Sequence, residues 1–147
     1  MNVDIMARFR ALPTPSASRL LGVEPVAFDA EAGRAVLAFA AKPEFLNPMG
    51  TLQGGFMAAM LDEAMTVAAL VKTGMTVMLP TLEMKISFLA PGKTGRLIAT
   101  GQVVRLGKRV AFLEGRLEDE AGTLLALSSA TTSVVARDKL GGTHAKP

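Results

Sequence analysis

The chain of 147 residues contains no cysteine, no tryptophan, no tyrosine and one histidine. The absence of cysteine excludes disulfide scaffolds, thiolate metal sites and cysteine nucleophiles. The lone His144 stands in a Gly-rich C-terminal stretch, which argues against a Ser-His-Asp triad or a multi-histidine metal site. No metal site is expected. The only aromatics are seven phenylalanines, and the basic residues are dispersed; both features weigh against nucleic-acid binding, and no nucleic-acid partner is expected. No uninterrupted apolar run reaches the ~18 residues of a membrane span. The first residues lack the apolar segment of a secretory signal, so a cytoplasmic location is expected and no membrane partner.

What is present is a large apolar fraction. Half the residues are hydrophobic and a fifth are charged, a balance that supports a packed core rather than disorder. A single domain over 1–147 is expected, with its core at about 20–137, a helix or loop over 1–19 and a flexible tail over 138–147. The formal charge of +3 suits anionic small molecules.

Residues 1–10 can form a short helix ended near Pro13 and Pro15. A strand is expected within 20–29, a turn at Glu31-Ala32-Gly33 and a second strand over 34–41, together a hairpin. Residues 43–53 read as loop. From Gly54 to about Val71 the apolar residues occupy nearly the whole circumference of a helix, the pattern of a buried helix. Long strands are then expected over 76–89, 96–106, 109–118 and 123–136, separated by turn residues. One buried helix and a run of antiparallel strands define an α+β protein whose sheet curls around the helix. One helix covers one face of such a sheet, so a homo-oligomer is expected.

Asp62 and Glu63 stand in the middle of the apolar helix. At about 100° per residue they point in different directions, so at least one faces something other than solvent. A buried carboxylate costs several kcal/mol unless it is paired or hydrogen-bonded. Thr66 lies one turn after Asp62 on the same face. Gly54 and Gly55 open the helix, where free N–H groups form an oxyanion-type donor site. Gly54 and Asp62 are separated by about 12 Å of helix rise. They converge on one carbonyl only if two copies of the helix pack antiparallel across a two-fold axis. Gly-Gly before a helix is also common loop punctuation, and a helical Asp is often paired with an Arg or a backbone N–H. From the residues alone both readings stand.

The run Asn47, Gly50, Gln53, Gly54, Gly55 and Asp62 resembles the hot-dog-fold acyl-CoA thioesterases of the 4-hydroxybenzoyl-CoA thioesterase superfamily. The branch it is similar to is that of the phenylacetate-pathway thioesterases, which reads Asn-x-x-Gly-x-x-His-Gly-Gly with an acidic residue nine positions after the His. The resemblance extends from about Leu20 to Arg137 and includes Leu21-Gly22 and Phe88-Leu89-Ala90-Pro91. It implies a hot-dog fold, a long antiparallel sheet wrapped around a central helix. It also implies hydrolysis of acyl-CoA to free acid and coenzyme A. The implied roles are Asp62 as nucleophile or general base and the Gly54 amide as oxyanion donor, with Gly55 beside it. Asn47 would hold the lytic water or the thioester, Thr81 would assist from a neighbouring subunit, and Thr66 would line the site.

The departure from the pattern is Gln53 in the place of the usual His. Gln donates and accepts hydrogen bonds as His does but does not titrate near pH 7, so activity is expected to survive. Lys108 and Arg109, at a predicted strand turn, are candidates for the nucleotide phosphates, as are Lys85, Arg105 and Arg137. Phe56, Met57, Met60 and Met65 are candidates for an apolar acyl pocket, or for core packing. The resemblance implies a dimer at minimum, with a tetramer expected, and no cofactor beyond the coenzyme A of the substrate. The alternative on the same fold is a non-hydrolytic acyl-CoA-binding protein. A hydratase of β-hydroxyacyl thioesters would need a catalytic His, and the helix and strands carry none.

Overall fold

The computed structural model describes residues 4–140. Two short helices lead the chain. Asp4 caps α1 (Ile5–Ala11), its carboxylate accepting from the Met6 and Ala7 N–H groups at 3.0 and 3.3 Å. The helix stops at Leu12, ahead of Pro13. The second helix, α2 (Ser16–Leu21), ends on Gly22, which takes the left-handed conformation at φ 63°. A side chain there would be strained and would also meet the Ala40 Cβ at 2.8 Å. This helix was not expected from the sequence. Six residues are too few to display a helical period, and its one clear signal is the glycine stop.

The hairpin β1 (Glu24–Asp29) and β2 (Arg34–Ala41) follows, then a 3-10 turn at Pro43–Phe45 and the long helix α3 (Gly54–Lys72). The expected strand over 76–89 is broken in two. β3 (Val77–Met78) and β4 (Thr81–Phe88) are separated at Pro80, which has no N–H to give to a ladder. The remaining long strands are β5 (Gly95–Leu106), β6 (Val110–Asp119) and β7 (Leu124–Ser133), with β8 (Val135–Ala136) pairing β3 in a small separate ribbon. Of the tail expected over 138–147, residues 138–140 belong to a second 3-10 turn, Arg137–Leu140. The rest, including His144, lies outside the described residues.

The main sheet is antiparallel with the order β1-β2-β5-β6-β7-β4. Alternate residues of its central strands face α3: Leu97, Ala99, Gly101 and Val103 on β5, and Ala111, Leu113, Gly115 and Leu117 on β6 are all buried. They close over Met60, Leu61, Ala64, Met65 and Ala68 of the helix, forming one core. Gly101 and Gly115 are direct cross-strand partners. A Cβ on Gly101 would lie 2.1 Å from the Ala64 carbonyl oxygen, and one on Gly115 would lie 3.0 Å from the Met65 side chain. The helix therefore seats with its backbone against the sheet. By length and composition α3 could cross a membrane, at 19 residues and mean hydropathy 1.4. Here the sheet covers its apolar side instead.

Candidate active site

The Thr81 hydroxyl donates to Asp62 Oδ1 at 2.9 Å. This contact depends on a β-bulge. Thr81 is the partner of Thr132 on β7, and Glu83 is the partner of Thr131, so Leu82 is the extra residue. The bulge lets Thr81 face the helix while Met84 and Ile86, further along, also pack against the core; without it the alternation would turn one group or the other outward. Asp62 is half-buried and Thr81 exposed, at the edge of the sheet. The hydrogen bond joins two residues of one chain, whereas the resemblance implied help from Thr81 of a neighbouring subunit.

Glu63 points elsewhere. Its carboxylate accepts a hydrogen bond of 2.5 Å from Ser18 on α2. Burial pushes its pKa upward, the Ser18 hydroxyl opposes that shift, and the charge of Asp62 adds to it. The two adjacent carboxylates are thus divided: Glu63 ties α2 to α3, and Asp62 is aimed at β4.

At the start of α3, Gln53 is the N-cap but its side chain makes no capping bond. The Gln53 backbone ties the loop to the helix start, its N–H bonding the Phe45 carbonyl at 2.8 Å and its carbonyl accepting from Phe56 N–H at 3.0 Å. No backbone acceptor among the described residues takes the Gly54 or Gly55 N–H. These are first-turn donors at the positive end of the helix. An open groove of about 380 Å³ runs beside them, lined by Leu52, Gly54, Met57, Phe88, Leu89 and Pro91 among others. It is mostly apolar. Phe88 lies over Gly54, so closely that a Cβ there would stand 3.0 Å from the ring.

Asn47 is occupied within its own loop. Its Oδ1 accepts from the N–H groups of Met49 and Thr51 at 3.0 and 3.2 Å, and its Nδ2 donates to the Thr51 hydroxyl at 2.9 Å. The expected role in holding water or thioester leaves it one amide hydrogen. Its larger contribution is the shape of the loop that delivers Gly54.

Of the acyl-pocket candidates, Met57 lines the groove, while Met60 and Met65 are fully buried core residues. Phe56 stacks on Phe45 with centroids 4.1 Å apart. Thr66 is half-buried one turn beyond Asp62. Lys108 and Arg109 are exposed between β5 and β6. The Arg109 carbonyl accepts from Val134 N–H, and Pro80 carbonyl accepts from Ser133 N–H, at 2.8 and 2.9 Å. Both bonds lie at the end of the sheet that carries Thr81. Lys85 is exposed beside Ser129, on the face away from α3. Arg105, paired with the exposed Phe112, is exposed too. Neither is brought to Asp62. Arg137 is exposed in the closing 3-10 turn. Among the described residues no group of three or more potential metal-ligating side chains occurs.

A long antiparallel sheet closed on one central helix, with a mid-helix carboxylate and a glycine-opened helix start, is the hot-dog architecture. The family model of the thioesterase superfamily matches residues 49–126, and the chain belongs to that family. Thioester hydrolysis is its class of reaction. The chain is similar to a phenylacetic acid degradation-related protein from Ralstonia eutropha JMP134. That structure superposes with a TM-score of 0.82 at 32% identity, over 89% of this chain and 100% of that one. It is 27% identical to a 1,4-dihydroxy-2-naphthoyl-CoA hydrolase of Listeria monocytogenes, over 81% of this chain and 95% of the relative. It is 31% identical to human acyl-coenzyme A thioesterase 13, over 64% of this chain and 68% of that protein.

Proposed function

We propose that this protein hydrolyses acyl-CoA thioesters with the Asp62 carboxylate. The observation that carries the reading is the hydrogen bond from Thr81, which fixes a half-buried carboxylate at an open sheet edge instead of pairing it with a cation. Asp62 takes a proton from a water as that water attacks the thioester carbonyl, or it attacks the carbonyl itself to form an acyl–Asp62 anhydride, which a water then hydrolyses to the free acid and the regenerated carboxylate. The Gly54 N–H at the helix start stabilises the oxyanion as it forms. Collapse of the tetrahedral intermediate expels the coenzyme A thiolate, a good leaving group that needs no strong general acid. No step calls for a metal or a cofactor.

The donor and the carboxylate must come from different chains. Helix rise places Gly54 and Asp62 of one chain about 12 Å apart. The β4 edge is unpaired in the sheet and exposes Leu82, Phe88 and, just beyond it, Leu89. Pairing two copies there covers this apolar edge and brings each Asp62 toward the other's helix start, so a homodimer is the smallest active unit. The acyl chain then lies in the apolar groove beside Met57. Lys108 and Arg109, both exposed, then meet the phosphates of coenzyme A.

Asp62→Asn tests the assignment. With phenylacetyl, benzoyl and straight-chain acyl-CoAs, turnover is expected to fall by at least about a hundredfold with the thermal melt retained. Undiminished hydrolysis would remove Asp62 from the mechanism. Tight acyl-CoA binding by the unaltered protein, with no turnover dependent on Asp62, would establish the non-hydrolytic binding protein.

A further inference from the structure

We infer that Thr132 is a positioning residue for the Asp62 carboxylate, acting through Thr81; the inference rests on the catalytic reading of Asp62. Thr132 is completely buried on β7, and among the described residues its hydroxyl has no hydrogen-bond partner. A buried hydroxyl without a partner is a cost that an isosteric Val would avoid. Other helix-facing positions on this strand do avoid it. Leu125, Ala126 and Ala130 are apolar, and the Ser128 hydroxyl is satisfied by the Lys85 carbonyl at 2.9 Å.

The strands on either side show where the Thr132 hydroxyl can act. Across β6 its partner is Ala111, which offers no polar side chain. Across β4 its partner is Thr81. Thr81 gives its one hydroxyl proton to Asp62, so its oxygen keeps acceptor capacity. Directly opposed residues on one face of an antiparallel pair have Cβ atoms about 5 Å apart. A change of χ1 rotamer at Thr132 therefore brings hydroxyl to hydroxyl. The resulting chain runs from Thr132 to Thr81 to Asp62, and it fixes the direction of the carboxylate when substrate is bound. Nearby charged groups are engaged elsewhere: Glu83 accepts from Thr131 on the opposite face, and Glu63 accepts from Ser18.

Thr132→Val removes the hydroxyl at nearly constant shape. Steady-state kinetics with one acyl-CoA should show kcat lowered by up to about tenfold, the value of one such hydrogen bond, with KM unchanged and the melting temperature equal or higher. Thr132→Ser should restore kcat. In the Thr81→Val background, Thr132→Val should have no further effect. A Thr132→Val enzyme with unaltered kcat, or one whose loss adds fully to that of Thr81→Val, would overturn the inference. Should Thr132→Val fail to fold, Thr132→Ala is held to the same kinetic criteria. Asp62→Asn is measured alongside. If it is inactive while Thr132→Val is silent, only the role of Thr132 fails; if Asp62→Asn retains full turnover, the catalytic reading fails and the inference with it.

Discussion

Gly101 and Gly115 face each other across β5 and β6, directly beneath Ala64 and Met65 of α3. Together they form the depression in which the helix backbone rests, and so they set the height of the helix and of Asp62 above the sheet. Gly101 is the more demanding of the two, because its missing Cβ would intrude on a backbone carbonyl rather than on a flexible side chain. Gly101→Ala should cost about 3 kcal/mol or more of stability, at or beyond the upper end for overpacked cores. Gly115→Ala should cost less, since Met65 can move. Urea denaturation of both variants checks the order, and equal midpoints would contradict it.

The Thr81 hydroxyl holds one oxygen of the Asp62 carboxylate and so leaves the other for the proposed attack. Thr81→Val should lower kcat by about tenfold, the loss of one oriented hydrogen bond to a charged acceptor. KM should change little, because the strand and its bulge persist. Thr81→Ser should retain most of the turnover. Equal loss in the Val and Ser variants, measured with one acyl-CoA under saturating conditions, would show that the methyl group rather than the hydroxyl matters.

Much of this arrangement is legible in the residues themselves. α3 is visible because its apolar positions run almost without interruption from a Gly-Gly start to Lys72, and the β6 alternation of Ala111, Leu113, Gly115 and Leu117 is visible for the same kind of reason. The carboxylate pair stands out against that background. What is not legible is whatever depends on partners distant in sequence. The Leu82 bulge exists only against β7, so the direction of Thr81 cannot be read from the strand alone. Ser18 lies 45 residues from the carboxylate it meets. The role of Asn47 changes once the loop closes, because its side chain is drawn into local bonds. Thr132 is one of a run of small polar residues and acquires meaning only through its register with Thr81.

Glu63 introduces a pH dependence of stability. Burial is the main cause of its raised pKa in the folded protein, with the Ser18 bond opposing and Asp62 reinforcing. The folded state therefore holds this proton more tightly than the unfolded chain. Its stabilising contribution is complete below the ordinary value of 4.5 and is lost as pH rises through the raised folded value. Glu63→Gln is neutral throughout and can still accept from Ser18. At pH 7 it should melt at a higher temperature than the unaltered protein, and the difference should shrink as pH falls through that window. A gap that widens on acidification, in calorimetry at several pH values, would reverse the sign of the argument.

Lys108 and Arg109 offer a separable test of how the substrate's nucleotide end is held. Both are exposed at the β5–β6 turn, at the end of the sheet where Thr81 also lies. Changing both to Ala removes two positive charges from a chain whose formal net charge is +3. Exposed contacts with phosphate are each worth about 1 kcal/mol or less and weaken with salt. KM for an acyl-CoA should therefore rise by about tenfold at low ionic strength, with a smaller rise at high salt and kcat preserved. A short thioester lacking the nucleotide should show no change in KM. An equal effect on both substrates would move the phosphate contact to another part of the surface, with Arg137 the next position to change.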